Sequence, residues 1–362
     1  MIFLRALVPA GALLCALMAG AAFANDFHDP LDSPPRAVSE PWKKPLLSVA
    51  AHDDLVLAVG LRGVVVRSEN AGESWQQVIP PVSSDLTSVF MLNAEQGWIV
   101  GHDGLVLHTR DGGKQWQRQL DGRLSEQPFT DYYQQDNGFD AEQSARLLDE
   151  MAMNFREGPS LPWLDVYFEN PEEGYVVGSF GMIAHTSDGG QSWQPWLHRI
   201  DNPMALNLNA LEKIGDDIFI AGERGTVFRL DRDERYFERL ESGYRGSFFG
   251  ITGSPDQLMA YGLRGTIRES RDGGETWAPV EAGFTVGISD GLSTPAITLF
   301  ASAGGGIKAS TDKGSSFTAL PVPPVPFTAL ATTRHRLIAS SLAGVFSVPL
   351  SSSDDPAVQL EE

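Results

Sequence analysis

The chain has 362 residues, of which 42% are hydrophobic, and its 47 Asp and Glu outnumber its 27 Lys and Arg, giving a formal net charge of −20. This excess of acidic residues disfavours nucleic acids and anionic membrane surfaces as partners, because a surface that binds phosphate groups must be positively charged. The single cysteine, Cys15, excludes a disulfide framework.

The first 24 residues have the pattern of a secretory signal peptide. A basic residue precedes an apolar stretch over 6–20, and the Ala-Phe-Ala that ends at Ala24 fits a cleavage site. The apolar stretch is too short for a stable membrane anchor, and Leu14 before the cysteine is too large for a lipoprotein processing site. We therefore predict a periplasmic or secreted protein that begins near Asn25, carries no lipid and does not span a membrane.

From residue 46 onward the chain repeats the phrase S/T-x-D-x-G-x-x-W at a spacing of about forty residues, which indicates stacked supersecondary units. Four short runs of β-branched, aromatic and aliphatic residues surround each copy and are separated by Gly and Asp turns, as in one blade of a β-propeller. The copies are SENAGESW (68–75), TRDGGKQW (109–116), TSDGGQSW (186–193), SRDGGETW (270–277) and the weaker STDKGSSF (310–317).

This pattern predicts an all-β fold, a seven-bladed β-propeller over residues 46–350 followed by an acidic tail, 351–362. The last block, Phe327–Leu350, has only three strands and would leave an unpaired edge, which folded proteins avoid. We therefore predict that Arg36–Trp42, within the N-terminal segment 25–45, closes the ring as a fourth strand. The other predicted blades are Leu46–Val78, Leu86–Leu120, Leu164–Trp196, Leu208–Leu240, Phe248–Val280 and Phe284–Leu320.

The repeated phrase resembles the Asp box of sialidases and related propellers, a hairpin between the third and fourth strands of a blade. Its Asp can accept hydrogen bonds from turn N–H groups, its Gly supplies a positive φ, and its aromatic residue packs into the blade. One active site does not need five copies of an acid, so we predict structural roles for the repeated residues. These are Asp111, Asp188, Asp272, Asp312, Trp75, Trp116, Trp193 and Trp277.

A sialidase-like glycoside hydrolase or a carbohydrate-binding propeller is the alternative interpretation. A sialidase would need three arginines, an Asp acid and a Tyr–Glu pair. The early Arg-Ile-Pro signature of sialidases is absent, and Tyr132, Tyr133, Tyr175 and Tyr244 have no recognisable catalytic context. The histidines lack the spacing of a zinc site and the glycines form no phosphate-binding loop, so we predict no metal and no cofactor.

Three of the predicted turns between second and third strands carry the motif G-x-R-G, at 60–63, 222–225 and 262–265. Such turns lie at the blade end opposite to the Asp box, so Arg62, Arg224 and Arg264 would project on one face around the central channel. Arginines there can form forked contacts with carboxylates or peptide carbonyls of a partner. The alternative is that each arginine bridges to an Asp of the next blade and only stabilises packing.

One long insertion, 121–162, falls between blades two and three on the same face. Its centre, Asp140–Phe155, begins with Asp140 and Gln143 in capping-box spacing and carries an apolar stripe at helical spacing. We expect this stripe to pack on the propeller; the alternative is an element that grips a partner. Tyr132 and Tyr133, just before the helix, would suit an interface.

With its blades, G-x-R-G turns and export signal, the chain resembles the photosystem II stability/assembly factor family over roughly Trp42–Leu350. The resemblance implies a non-enzymatic propeller on the lumenal side of the photosynthetic membrane that holds a freshly inserted membrane subunit. An arginine-rich patch is implicated in that family, and Arg62, Arg224 and Arg264 match its turns. We therefore expect a monomeric, exported scaffold or assembly factor for a membrane protein complex.

The chain also departs from this family pattern. Asp103, Phe180 and Gly305 occupy the turn positions of blades two, three and six where the arginine would lie. No residue of the chain by itself implies photosynthesis, and a shared fold does not transfer a client.

Overall fold

A computed structural model describes residues 28–350 except 136, 157 and 159. Within this part of the chain, 27 strands form seven antiparallel sheets, six of four strands and one of three. The predicted signal peptide, 1–24, and the predicted acidic tail, 351–362, lie outside the described residues.

Each sheet is one blade, and its strands pair in chain order from the central channel outward. Blades one to four contain β1 (Leu46–His52), β2 (Leu55–Gly60), β3 (Val65–Ser68), β4 (Gln76–Val78); β5 (Leu86–Met91), β6 (Gly97–Gly101), β7 (Val106–Thr109), β8 (Gln117–Leu120); β9 (Trp163–Phe168), β10 (Gly174–Gly178), β11 (Ile183–Thr186), β12 (Gln194–Pro195); β13 (Leu208–Ile214), β14 (Asp217–Gly222), β15 (Thr226–Asp231) and β16 (Tyr236–Glu241). Blades five to seven contain β17 (Phe248–Ser254), β18 (Gln257–Gly262), β19 (Ile267–Ser270), β20 (Ala278–Val280); β21 (Ile288–Ser293), β22 (Thr298–Ser302), β23 (Ile307–Ser310), β24 (Thr318–Ala319); β25 (Phe327–Thr332), β26 (Arg336–Ser341) and β27 (Gly344–Pro349).

The hydrophobic core lies between neighbouring blades, and the second strand of each blade is buried except, in some blades, for its first residue. Every residue of β6, β10 and β18 is buried. Both faces of such a strand are covered by adjacent blades, which explains why its sequence is a continuous apolar run rather than an alternating one. The predicted seven-bladed propeller is confirmed.

The Asp-box hairpins are held by local hydrogen bonds. Asp111 accepts the Thr109 hydroxyl through Oδ1 at 2.8 Å and the backbone N–H groups of Lys114 and Gln115 at 3.0 and 2.9 Å. In the later boxes, hydrogen bonds from Thr276 and Ser316 lower the pKa values of Asp272 and Asp312 to about 2. Asp188 makes the equivalent bonds to Ser192.

The tryptophans that close the Asp boxes pack against their own hairpins. Trp75 and Trp277 donate through Nε1 to the carbonyls of Gly72 and Gly274, at 3.1 and 2.9 Å. Trp116 and Trp193 are buried in the cores between blades. These contacts agree with a structural role for the repeated phrase.

The predicted closing strand Arg36–Trp42 is not formed, and blade seven has three strands in the described part of the chain. Pro41–Lys43 is instead a single 3₁₀ turn beside β27 and β4. Upstream of it, the Val38 N–H donates to Oε1 of Gln77, in blade one, at 2.9 Å. Pro41 within the predicted strand has no N–H for a strand ladder, and Pro34, Pro35 and Pro45 on either side of it also disfavour a regular strand.

The insertion contains two helices, α1 (Gly122–Gln134) and α2 (Ala141–Phe155). Asp140 caps α2 by accepting the Gln143 N–H at 2.8 Å, as the sequence predicts. Asp121 caps α1 in the same way, although α1 is an addition to the predicted elements. Pro128 lies inside α1 and is a residue type that normally ends helices, so the pattern there does not indicate one.

Both helices pack on blade three. Phe129 and Tyr133 of α1 and Leu147 and Met151 of α2 are buried in one cluster with side chains of β9 and β11. The expected packing of the α2 apolar stripe on the propeller therefore agrees with the structure at Leu147 and Met151, whereas Ala145 and Ala152 of the predicted stripe are exposed.

Candidate partner-binding face

The seven turns between second and third strands lie where the chain enters each blade, on the face opposite to the Asp boxes. In every blade, the first residue of the turn donates its N–H to the carbonyl of the residue just before the first strand. The pairs are Leu61–Pro45, His102–Asp85, Ser179–Pro162, Glu223–Asn207, Leu263–Ser247, Ala303–Gly287 and Leu342–Pro326, at 2.9–3.4 Å. We call this side the turn face.

Arg62, Arg224 and Arg264 occupy the same position in their turns and are exposed on the turn face. Their φ angles are 57°, 54° and 61°, in the left-handed region that glycine adopts without strain. A side chain held in this conformation costs about 1 kcal/mol or more, so three arginines persist where glycine would be more stable.

Among the described residues, the guanidinium groups of these arginines do not form the bridges to an Asp of the next blade that a purely packing role would require. Asp85 does accept a hydrogen bond from Arg62, but it comes from the backbone N–H, at 2.6 Å. The Arg224 side chain reaches only Sδ of Met204, at 3.5 Å. Within the described residues, the side chains of Arg62 and Arg264 form no ion pair, which leaves their charges available on the turn face.

The other turns show how the same position can be used differently. Phe180, at φ 53°, is 58% exposed, and its N–H donates to Asn207 Oδ1 at 2.6 Å, as Arg62 does to Asp85. Asp103 instead accepts a hydrogen bond from Ser84 and lies against the start of the insertion. The turn of blade six has Gly305. The turn arginines therefore occur only in blades one, four and five, of which only blades four and five are neighbours.

Exposed apolar side chains are concentrated on the turn face as well. Within the described chain, none of the strongly exposed large hydrophobic residues lies in an Asp-box hairpin or in a turn between first and second strands. A group of such side chains with polar surroundings is typical of a protein interaction site. On the turn face they are Leu61, Phe180, Met204, Phe249, Leu263, Val286 and Leu342.

Tyr133 is corrected as a candidate interface residue, because its side chain is completely buried. Its hydroxyl oxygen accepts the Leu197 N–H at 3.1 Å and lies 3.1 Å from Nδ1 of His198. Burial raises the pKa of Tyr133 well above its usual range. Tyr132 is half-buried and stacks edge-on against Tyr133, so only Tyr132 retains access to solvent.

Two carboxylates that the sequence analysis missed join blades at the central channel. Asp165 accepts the Ser88 hydroxyl and the Leu211 N–H, each at 2.7 Å, and so connects blades two, three and four. Asp290 accepts the Tyr261 hydroxyl at 2.9 Å and the Leu330 N–H at 2.6 Å. Each is the third residue of a first strand, and that repeated position is the signal that could have identified the pair.

A third carboxylate, Glu212, projects into the channel, a cavity of about 910 Å³ lined by the first strands of all seven blades. Its side chain is exposed to the solvent of the channel, but the surrounding walls limit its hydration and so raise its pKa to about 8, with the charges of Asp165 and Asp290 adding to the shift. Burial also raises the pKa of Asp290 to about 6. Among the described residues, no group of three or more His, Cys, Asp and Glu has the arrangement of a metal site.

Two broader features bear on the environment of the protein. No helix in the described part of the chain is both long and apolar enough to cross a membrane. His108 and His185, each directly before an Asp box, occupy equivalent positions in the third strands of blades two and three, where they are buried and stack on Trp98 and Trp196. Burial lowers the pKa of His108 to about 4.

Comparison with solved structures places the fold among known propellers. The structure of YCF48 bound to D1 peptide matches with a TM-score of 0.63 at 17% identity, covering 88% of this chain and all of that one. An ancestral GH74 enzyme matches with a TM-score of 0.60 at 12% identity, covering 85% of this chain and 45% of that one. At these identities the likeness establishes the architecture alone.

Curated relatives are named as photosystem II assembly proteins. A Photosystem II assembly lipoprotein Ycf48 of Synechococcus sp. strain CC9902 is 30% identical over 32% of this chain and 35% of its own length. The chloroplastic stability/assembly factor HCF136 of Oryza sativa is 24% identical over 60% of this chain and 66% of its length. The chain thus spans about a third to two thirds of the first relatives that it matches. The Ycf48 lipoprotein of a Picosynechococcus strain is matched over 85% of its length at 22% identity.

The model of the family Photosynthesis system II assembly factor YCF48 matches residues 32–137 and 150–245, more than half of the chain. These two matches include blades one to four, two of the three exposed arginine turns and α1. With the seven-bladed fold and the named relatives, this coverage shows that the chain belongs to the YCF48 family of photosystem II assembly factors.

Proposed function

We propose that the chain is an exported, monomeric, non-catalytic assembly factor that holds a segment of a membrane-protein client on its turn face. Its relatives are named as assembly factors, and a protein of the same architecture has been solved bound to a D1 peptide. The function is thus that of a scaffold, and the client is a chain that needs temporary protection before it joins its complex.

The observation that carries this proposal is the state of the three turn arginines. They combine a left-handed backbone, an exposed guanidinium and, for Arg62 and Arg264, the lack of an ion-pair partner within the described chain. Strained residues that the fold itself does not need are typical of binding sites.

The turn face also defines the chemistry of the client segment. Free guanidinium groups bind carboxylates or peptide carbonyls in a forked geometry, and neighbouring Leu61, Met204 and Leu263 offer apolar contacts. With a net charge of −20, the rest of the surface would repel an acidic segment. We therefore propose an extended client segment that carries both carboxylate and apolar groups.

The test is affinity capture of the tagged protein from gently solubilised membranes, with proteins identified by mass spectrometry. The variant changes Arg62, Arg224 and Arg264 to Asn, which removes the charges and tolerates the left-handed turns. One integral membrane protein should be enriched by the native chain and lost from the variant.

A matched control removes the same number of charges from the opposite face. It changes three exposed basic residues of the Asp-box hairpins, Arg110, Lys114 and Lys313, to Asn. Equal loss of the client from both variants would show that binding depends on overall charge, and the proposed site would be wrong.

Glycoside hydrolysis or carbohydrate binding is the competing function. The observation that favours it is the structural similarity to a GH74 enzyme. In the described channel, however, both oxygens of Asp165 and both of Asp290 already accept hydrogen bonds from the protein. Chromogenic glycosides and a glycan array test this alternative, and turnover that copurifies with the chain would establish it.

A further inference from the structure

A cleft of about 230 Å³ lies between helix α2 of the insertion and blades three and four. Arg146 and Glu150 of α2 line one side, the chain between β12 and β13 lines the other, and Phe180 of the turn face lies at its border. Arg146 belongs to residues 138–149, which the family model does not match, so the cleft is not implied by family membership. A cavity of about 150 Å³ holds benzene, so this cleft has room for one long side chain of a partner.

Hydrogen bonds hold the side of the cleft that faces α2. Ile200 forms a parallel β-bridge with Phe237 of blade four, and the Asp201 N–H donates to the Phe237 carbonyl at 3.1 Å. The Asn202 side chain donates to the Leu206 carbonyl at 2.9 Å and accepts the Leu206 N–H at 3.1 Å. These contacts fix the loop that leads into β13, so the fold itself sets the shape of the cleft.

The lining of the cleft combines apolar and aromatic surface. Leu197 and Ile200 are buried residues of the lining and contribute aliphatic groups. Phe180 and the half-buried Tyr236 contribute aromatic rings. Lysine and arginine place their methylene stems against apolar surface while the charged group reaches outward, and their cations are attracted to aromatic rings. A long basic side chain therefore suits this lining.

The charges of the cleft favour the same occupant. Arg146 and Glu150 neutralise each other in an ion pair with Nη1 and Oε1 2.9 Å apart. Among the described residues, the Asp201 carboxylate forms neither an ion pair nor a hydrogen bond, which leaves one negative charge in the cleft. Burial raises the pKa of Tyr236, the charge of Asp201 raises it further and that of Arg146 lowers it. Both charged groups therefore lie near the Tyr236 hydroxyl.

We propose that this cleft binds one lysine or arginine side chain of the client segment, with its charged group at Asp201. Pro203 and Ala205 line the cleft, and Met204 between them lies 3.5 Å from Nη1 of Arg224. A client carboxylate at Arg224 and a basic side chain in the cleft would thus be neighbours. Naming the client as the source of this side chain rests on the proposed function, whereas the preference of the cleft for a cation does not.

Methyl NMR tests the cleft with small probes. With isoleucine δ1 methyl groups labelled, the Ile200 signal should shift during titration with pentylammonium and much less with pentanoate, which has the same chain length and the opposite charge. Asp201→Asn should weaken pentylammonium binding about tenfold, because the ammonium loses its charged partner. Asp149→Asn is the matched control, since it removes an exposed carboxylate of α2 that does not line the cleft, and it should leave binding unchanged.

Selective binding of pentylammonium that Asp201→Asn weakens and Asp149→Asn does not would support the proposal. Equal shifts with both probes, no shift with either, or equal loss in both variants would overturn it. Client capture separates this inference from the proposed function. If Asp201→Asn retains the client and the triple arginine variant loses it, the turn face is the binding site and the cleft is not part of it. If even the native chain captures no client, the proposed function is wrong, and the NMR result alone decides whether the cleft binds a cation.

Discussion

Removing the buried hydroxyl of Tyr133 should loosen the insertion without altering the propeller. In Tyr133→Phe the ring still fills its site, so no cavity forms, but the Leu197 N–H loses its acceptor at 3.1 Å. Leu197 is itself buried, and a buried donor without a partner costs about 1–3 kcal/mol. A cost of about 2 kcal/mol corresponds to a change of about 30-fold in the equilibrium for local opening.

Hydrogen exchange measured by mass spectrometry detects this opening directly. Peptides from α1 and α2 should exchange about 30-fold faster in Tyr133→Phe, because both helices are packed on blade three through the same buried cluster. Peptides from the distant blades five and six should keep their native rates.

Tyr132→Phe is the matched control, since it removes the same atom one residue away. The Tyr132 side chain is half-buried, and its hydroxyl has no hydrogen bond within the described residues, so exchange should change by less than about threefold. Equal effects of the two substitutions, or no effect of either, would refute the inference that the Tyr133 hydroxyl holds the insertion on the propeller.

Three further predictions concern the channel and the turns. Asp290→Asn should destabilise the ring by about 1–3 kcal/mol in chemical unfolding, because the Leu330 N–H loses its charged acceptor; an unchanged midpoint would contradict the role of this carboxylate between blades. The pKa of Glu212 is raised to about 8 in the folded channel, so its stabilising effect is complete below its unfolded pKa near 4.5 and is lost as the pH rises to 8. Unfolding temperatures should therefore decline less between pH 5 and pH 9 in Glu212→Gln than in the native chain, and parallel profiles would exclude the effect. Arg264→Gly should leave the unfolding temperature within about 2 °C or raise it, because glycine relieves the left-handed strain; marked destabilisation would mean that the arginine is a packing residue.

The repeat made the architecture predictable from the sequence. Each Asp box stabilises its own hairpin through hydrogen bonds between residues at most four positions apart, such as Asp111 and Gln115. Such local interactions can be recognised from the sequence alone. The G-x-R-G spacing similarly located the turn face, because the turn position repeats with the blades. The helix α2 was predictable from its cap and its apolar periodicity.

What the sequence could not supply depends on contacts between distant segments. Tyrosine is common at protein interfaces, so the sequence favoured an exposed Tyr133. Its burial depends on contacts with distant parts of the chain, such as its hydrogen bond with Leu197, 64 positions away. Asp165 accepts hydrogen bonds from Ser88, 77 residues before it, and from Leu211, 46 residues after it. Its role can therefore be recognised only once the folded ring is known. The predicted N-terminal strand is wrong for a reason that the sequence does contain, since Pro41 within it could not donate to a sheet.

Site-specific photocrosslinking during export is the most direct test of whether a client segment lies across the turn face. A photoreactive residue would replace Phe180, which is exposed on the turn face, or Thr311, which is exposed in an Asp-box hairpin. We predict that position 180 forms an adduct with one integral membrane protein and that changing Arg62 and Arg224 to Asn abolishes it. Adducts that form mainly at position 311, or that survive loss of the arginines, would contradict the proposed site.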